Sequence, residues 1–199
     1  MLAALVAASF LLGAIPFGVV VSRAFFRRDL REGGSGNIGA ANALRTLGKR
    51  GAVAVLLLDA LKGALPAIAG RALGGEEAAA VAAFAAVLGH CFSPFLRFRG
   101  GKGVATSFGA IVALAWPAGL AFAVVWLATV LACGFSSAAS MLASIAVIPV
   151  LWYAAGAAAG WYGIAGALLI VVMHRGNLAR LRAGTENPLP LFRPKTRVE

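Results

Sequence analysis

Charge is scarce in this sequence. Asp, Glu, Lys and Arg make up 13% of its 199 residues while 61% are hydrophobic, and the mean hydropathy is +0.89. A soluble domain carries about 25% charged residues, so an ordinary soluble globule is excluded. The long uncharged runs of Ala, Leu, Val and Gly call instead for helices that satisfy their own backbone in lipid. Cysteine is nearly absent as well. Cys91 and Cys133 match no metal-ligand spacing and no CxxC pair, which leaves no metal and no redox chemistry to assign to them. The first apolar run contains no Lys or Arg before Arg23. It lacks the basic n-region of a secretory signal and reads as a retained first span. No internal repeat is visible and no linker is long enough to divide the chain, so residues 1–199 form a single domain.

What charge there is has one sign and is clustered. The net charge is +11, a value that could point to nucleic acid. The positions argue otherwise. Arg23, Arg27, Arg28, Arg31, Arg45, Lys49 and Arg50 share one stretch, and Arg97, Arg99 and Lys102 another. Arg175, Arg180, Arg182, Arg193, Lys195 and Arg197 follow His174, leaving only Lys62 and Arg71 elsewhere. This is the pattern of positive cytoplasmic loops between membrane spans. Short basic loops with little aromatic interleaving do not make a nucleic-acid channel.

Apolar runs at 2–22, 52–70 and 78–96 each fit one span. The runs 104–132 and 138–173 exceed the about 17–25 residues of a single crossing. Trp116-Pro117 interrupts the first of these, since Pro disfavours helix in the residue before it, and Gly156–Gly160 interrupts the second. Splitting both gives seven spans, and an odd number keeps all basic segments on one side. The expected fold is an all-α integral membrane protein of seven transmembrane helices, with its N-terminus outside and its C-terminus cytoplasmic. Asp59 and Lys62, three residues apart within the second span, are expected to pair.

Three motifs fall on the predicted cytoplasmic face. GGSGNIGAANALRTLGKRG (33–51) sets Ser35, Asn37 and Asn42 among glycines that let backbone approach a ligand, with Asn42 and Arg45 on one face of a short helix. An ordinary polar loop would look similar. RFRGGKGVAT (97–106) resembles a phosphate loop, but Gly103 stands where a Walker A motif needs Ser or Thr after its Lys. What remains is Gly100, Gly101 and Gly103 as a possible nest of backbone N–H groups, Lys102 as a point charge, and a helix N-terminus beginning at VATSFGAIVAL. The other reading is a tight basic turn. HRGNLARLRAGTEN (174–187) places His174, Asn177 and Arg180 at i, i+3 and i+6 on one helical face. The second histidine, His90, lies shortly before the glycine loop.

Taken together, SGNIGAANALRTLG, GHCFSPFLRFRGGKGVAT and HRGNLARLRAGTEN resemble, in order and at compatible separations, the three cytoplasmic motifs of the PlsY family. These are bacterial membrane acyl-phosphate:glycerol-3-phosphate acyltransferases. The departures are small: Ala41 replaces Thr, Arg99 replaces Lys and Leu178 replaces Ile. Loss of the Thr hydroxyl makes position 41 a poor substrate contact, and Arg99 keeps the charge in a wider fork.

The resemblance implies transfer of a fatty acyl group from acyl-phosphate to the 1-hydroxyl of glycerol 3-phosphate. The products are lysophosphatidic acid and phosphate, made at the cytoplasmic face of the bacterial inner membrane. It implies no cofactor, no metal, and neither acyl-CoA nor acyl-carrier protein as direct donor. Ser35, Arg45, Lys102, His174 and Asn177 are then the expected catalytic residues. Asn37, Asn42, Gly100, Gly101, Gly103 and Arg180 are the expected substrate-binding ones. An acyl phosphate already has a good leaving group, and no nucleophile elbow or HxxxxD pattern is present. Family knowledge makes the donor's own phosphate the base, with His174 as the alternative. A small transporter or flippase for an anionic solute is the competing function, but transporters often show paired interrupted helices in corresponding halves, whereas here the breaks and polar motifs cluster on one face.

Overall fold

The structure, a computed structural model, describes residues 1–192. Arg193, Lys195 and Arg197, counted above among the basic residues after His174, lie outside that range. The first run forms α1 (Leu2–Ala14) and α2 (Phe17–Phe26). Pro16 separates them, because it has no N–H and drives Ile15 out of helical geometry; Ile15 sits at φ −58° and ψ 120°. The break leaves the Ile15 carbonyl without a helical partner. Lys62 Nζ donates to it at 2.7 Å.

After the short helix α3 (Ala40–Thr46) comes α4 (Gly48–Cys91), which folds back on itself at Gly74–Gly75. Gly75 has φ +75°, a conformation that residues with a Cβ rarely adopt. Across this turn Arg71 pairs with Glu76 at 2.7 Å. Its other N–H groups donate to the carbonyls of Ala113 (2.7 Å) and Leu114 (2.9 Å). Those carbonyls end α5 (Val104–Leu114) and have no acceptor role left within their own helix. Extended backbone at Ala115 leads into α6 (Trp116–Cys133). Next come α7 (Ser136–Ala146), α8 (Ile148–Met173) and α9 (Arg175–Arg182).

α8 also reverses, at Gly156 (φ +76°). The rings of Trp152 and Trp161 meet with centroids 5.5 Å apart, where a continuous helix would hold those positions about 13 Å apart. The helical limbs are therefore 2–26, 48–73, 76–91, 104–114, 116–133, 136–155 and 157–173. Among the described residues, four stretches, Leu2–Phe26, Gly48–Leu96, Trp116–Cys133 and Ile148–Met173, have the length and apolar composition to cross a membrane. All but Trp116–Cys133 contain one of the breaks described above. α5 and α7 have 11 residues each, about 16 Å of helix against a hydrocarbon core of about 30 Å. The interruptions expected at Trp116-Pro117 and Gly156 are present. The break at Ile15–Pro16, inside a run expected as one span, and another at Val147, two residues before Pro149, had no anticipated counterpart.

Small residues set how closely the limbs approach, as is usual where lipid supplies no hydrophobic drive between helices. A Cβ on Gly63 would collide with the Thr106 carbonyl, and one on Gly109 with the Ala60 carbonyl. The 48–73 limb and α5 thus meet backbone to backbone. Gly63→Val is expected to lower stability by about 1–3 kcal/mol through overpacking, read as a fall in the thermal midpoint in detergent. An unchanged midpoint would show that the two helices are not so close. Around this contact the core includes many small side chains such as Ala67, Ala83, Val87 and Ala110. Ser107 Oγ and Tyr162 OH, both buried, satisfy each other at 2.9 Å.

Candidate functional site

Residues 27–39, 92–103 and 174–189 gather at one end of the limbs, around a cavity of about 580 Å3. The first loop is organised by Asn42 on α3, which is 1% exposed. Its Oδ1 accepts from the Ser35 N–H at 2.8 Å. Its Nδ2 donates to the carbonyls of Leu30 (2.8 Å), Asn37 (2.8 Å) and Gly33 (3.1 Å). A buried amide must be hydrogen-bonded, and this one is satisfied by the loop. Asn42 borders the cavity and holds the Ser35 and Asn37 backbone in place. Asn37 Oδ1 accepts from the Gly39 N–H at 3.0 Å, and Ser35 stands exposed at the cavity mouth.

The glycine loop also departs from expectation. Gly100 N–H donates to the Cys91 carbonyl and Gly101 N–H to the His90 carbonyl, each at 3.0 Å. The two amides tie the loop to the end of α4, and neither residue lines the cavity, so the expected N–H nest of Gly100 and Gly101 is not formed. Lys102 and Gly103 do line it, together with Val104 and Ala105 of the first turn of α5. Gly103 takes φ +78° as the residue preceding that helix, a left-handed turn that swings Lys102 out ahead of it.

The third motif supplies the opposite wall. His174 precedes α9 and is 3% exposed, and Asn177 is 7% exposed. Lys102 Nζ donates to Asn177 Oδ1 at 2.5 Å. Asn177 Nδ2 donates to Glu186 Oε1 at 2.6 Å. Ser137 Oγ on α7 donates to the same oxygen at 2.8 Å, and Arg180 Nε to Glu186 Oε2 at 2.8 Å. Arg45 Nη2 reaches the carbonyls of Asn187 (3.1 Å) and Pro188 (3.5 Å), joining the first motif to the third. Ser35, Asn37, Arg45, Lys102, Gly103, His174, Asn177 and Arg180 thus surround one space.

Two members of this network carried no role in the sequence reading. Glu186 belongs to the quoted GTEN string, which was a usable signal. Ser137 belongs to no motif; its only sign is a cluster of hydroxyls (Ser136, Ser137, Ser140) in an otherwise apolar stretch.

The electrostatics follow from burial and neighbours. Burial lowers Lys102 to about 8, with Arg180 and Arg45 adding to the effect and Glu186 opposing it. Burial, and then the charge of Lys102, holds His174 at about 4, so the imidazole is neutral at pH 7. Its Nδ1 lies 2.8 Å from the Ile170 carbonyl, which assigns the proton to Nδ1 and leaves Nε2 as an acceptor. Burial pushes the Glu186 carboxyl upward, but hydrogen bonds from Asn177, Ser137 and Arg180 outweigh it and keep the group below its ordinary value. Three cations around one carboxylate give this end of the cavity a positive balance suited to an anion. Among the described residues, no three His, Cys, Asp or Glu side chains are grouped to hold a metal ion.

An apolar arm of the cavity is lined by Leu56, Val104, Phe108, Phe122, Trp126 and Leu127, and Asp59, His90, Ser136 and Ser140 also border the space. Trp126 is fixed by its Nε1 donating to Ser140 Oγ at 3.1 Å. Leu56 on α4 and Leu127 on α6 are also 41% and 53% exposed, so this arm opens sideways on the flank of the helices. The chemistry on offer is an anion site at one end and a place for an alkyl chain at the other.

A family model described as glycerol-3-phosphate acyltransferase matches residues 3–184. The chain is 48% identical over 179 residues to the glycerol-3-phosphate acyltransferase of Dinoroseobacter shibae, covering 90% of this chain and 88% of that one. It is 49% identical to the same-named protein of Jannaschia sp., covering 89% and 88%. Its fold superposes on the crystal structure of PlsY (YgiH), an integral membrane glycerol 3-phosphate acyltransferase, in the glycerol 3-phosphate form. That match has a TM-score of 0.90 at 36% identity, over 96% of this chain and 99% of the other. The lysophosphatidic acid form gives a TM-score of 0.88 at 35% identity. Similarity of sequence and of fold therefore runs from one end of the helical region to the other, and the chain belongs to the PlsY family of membrane glycerol-3-phosphate acyltransferases.

Proposed function

We propose that this protein is a glycerol-3-phosphate acyltransferase that uses acyl-phosphate as donor and forms lysophosphatidic acid and inorganic phosphate. The observation that carries the reading is the join, within one cavity, of a cationic end to an apolar arm open to the flank. A phosphate head and a fatty chain require those two surroundings in that order. On this reading all seven helical limbs are spans of one domain, with the N-terminus outside. The basic loops then place the site at the cytoplasmic face of the inner membrane.

In the proposed step the 1-hydroxyl oxygen of glycerol 3-phosphate attacks the acyl carbonyl carbon. The new ester C–O bond forms as the bond from that carbon to the phosphate oxygen breaks, and the hydroxyl proton passes to the departing phosphate. Lys102, Arg45 and Arg180 attract the phosphates, and Lys102 and Asn177 face the charge that develops in the transition state. Ser35 and the bare Nε2 of His174 align the hydroxyl.

At pH 7 an imidazole held at about 4 is a weak base but a good acceptor. His174→Ala is expected to lower kcat at saturating substrates by less than about 10^2-fold, because only alignment is lost. A fall of about 10^3-fold or more would make His174 the base.

Lys102 also sets a pH dependence. Below about 8 it is an ammonium that attracts phosphate; above, it is neutral. The apparent kcat/KM for glycerol 3-phosphate is expected to fall towards tenfold per pH unit above pH about 8. A flat profile to pH 9.5 would remove Lys102 from the phosphate site.

The reading is tested with purified protein in detergent, by measuring phosphate release from acyl-phosphate with and without glycerol 3-phosphate. Release that needs both substrates is expected. Absence of release with both present would overturn the reading and favour solute transport, which needs a sealed compartment.

A further inference from the structure

His90 is the one histidine the mechanism leaves unused. It lies at the end of α4, 3% exposed, with its Nδ1 3.7 Å from Asp59 Oδ1. Asp59 is 1% exposed and pairs with Lys62 at 2.9 Å. Lys62 is held in turn by the Ile15 carbonyl at 2.7 Å and by the Phe17 ring, 5.6 Å away. On its other side His90 meets the glycine loop twice. Its carbonyl accepts the Gly101 N–H at 3.0 Å, and its ring lies where a Cβ on Gly101 would have to go, with Nε2 nearest. The residue after Gly101 is Lys102, whose ammonium stands on Asn177.

The contacts therefore run unbroken from the Pro16 break through Lys62, Asp59, His90 and Gly101 to the ammonium. We propose that His90, oriented by Asp59, is a positioning residue for Lys102. The ring and carbonyl seat Gly101. The Asp59 carboxylate faces the Nδ1 edge of the ring across 3.7 Å, too far for a hydrogen bond, so it orients the ring by its charge. Asp59 and His90 both border the cavity that Lys102 lines. The run of contacts from Asp59 to the glycine loop passes through that ring, so the influence of Asp59 on the seating of Lys102 passes through His90. A residue 1 Å out of place near the reacting groups costs activity steeply, and an interior packed to crystal density transmits such a shift. The groups facing the Lys102 ammonium, which set its charge, are Asn177, Glu186, Arg180, Arg45 and His174.

The inference rests on the acyl-transfer reading only for its kinetic assay. The variants His90→Ala, His90→Phe, Asp59→Asn and the double variant Asp59→Asn/His90→Phe are compared with the wild type in detergent. Kinetics are measured from pH 6.5 to 9.5, together with the rise in thermal midpoint caused by inorganic phosphate. For His90→Ala, a rise of about tenfold or more is expected in the KM of the substrate that Lys102→Met weakens. Its alkaline limb should move up by half a pH unit or more as the ammonium gains water. His90→Phe keeps the ring volume and should stay within about threefold. Asp59→Asn should act in the same direction as His90→Ala in the wild type and have no effect in the His90→Phe background.

An alkaline limb that stays in place in His90→Ala, with only a lower thermal midpoint, would reduce His90 to packing and overturn the proposal. Equal effects of Asp59→Asn in both backgrounds would overturn it too, and this pair decides the matter if His90→Ala does not fold. Failure of the wild type to release phosphate would sink the acyl-transfer reading alone, since phosphate protection still compares the variants.

Discussion

Lys102→Met is expected to lower kcat/KM by about 10^2–10^3-fold, the usual consequence of removing one preorganised charge-stabilising donor from a transition state. Methionine keeps an unbranched, flexible apolar stem, so the loop loses its charge more than its packing. The loss has two sources. Phosphate binding weakens because only Arg45 and Arg180 remain, and both are also engaged with protein oxygens. Asn177 loses the partner that holds its Oδ1 at 2.5 Å, so the amide is fixed from one side only, by its Nδ2 bond to Glu186. Lys102→Arg should restore little, because a planar fork does not replace a compact ammonium at a single acceptor. Steady-state kinetics at pH 7 give the answer. Unchanged Michaelis constants for both substrates would remove the residue from the phosphate site.

Lys62→Met is expected to lower stability by about 3–5 kcal/mol, the cost of leaving one member of a buried ion pair uncompensated. Both side chains are 1% exposed, so water cannot step in, and the Ile15 carbonyl loses its side-chain donor and keeps only the Phe17 N–H at 3.0 Å. For a chain of this size that corresponds to a fall of about 10 °C in the thermal midpoint. Replacing the partner too, in Lys62→Met/Asp59→Leu, should recover most of the loss, since an apolar pair often does as well as a buried ionic one. A midpoint within 2 °C of the wild type, by the same estimate, would show that the pair is hydrated.

The expected Asp59–Lys62 pair is present because spacing on one helix decides it: i, i+3 residues share a face. The limbs were likewise legible from run length and from Pro117 and Gly156, whose backbone requirements are local. The candidate site was legible where a side chain is unusual in its setting, as with Lys102, His174 and Asn177. Gly100 and Gly101 were misread because a glycine-rich string specifies a tight turn without specifying where its N–H groups point. Here they point back to α4. The loop-holding role of Asn42 was hidden for a related reason. Its residue type suits a ligand or a loop equally, and only its burial beside four loop groups shows what it holds. Glu186 among basic neighbours looks like a solvated charge until Ser137, 49 residues away, is brought against it. The apolar arm is assembled from α4, α5 and α6, and no single stretch of sequence contains it.

The sideways opening between Leu56 and Leu127 has a consequence for how substrate supply is measured. On the proposed function the fatty tail slides in from one leaflet and returns to it without crossing water, so its hydrophobic transfer energy largely cancels between entry and exit. The donor is then counted per lipid and not per litre. Diluting the same amount of acyl-phosphate into more bilayer starves the enzyme, while glycerol 3-phosphate, arriving from the aqueous side, is felt at its bulk concentration.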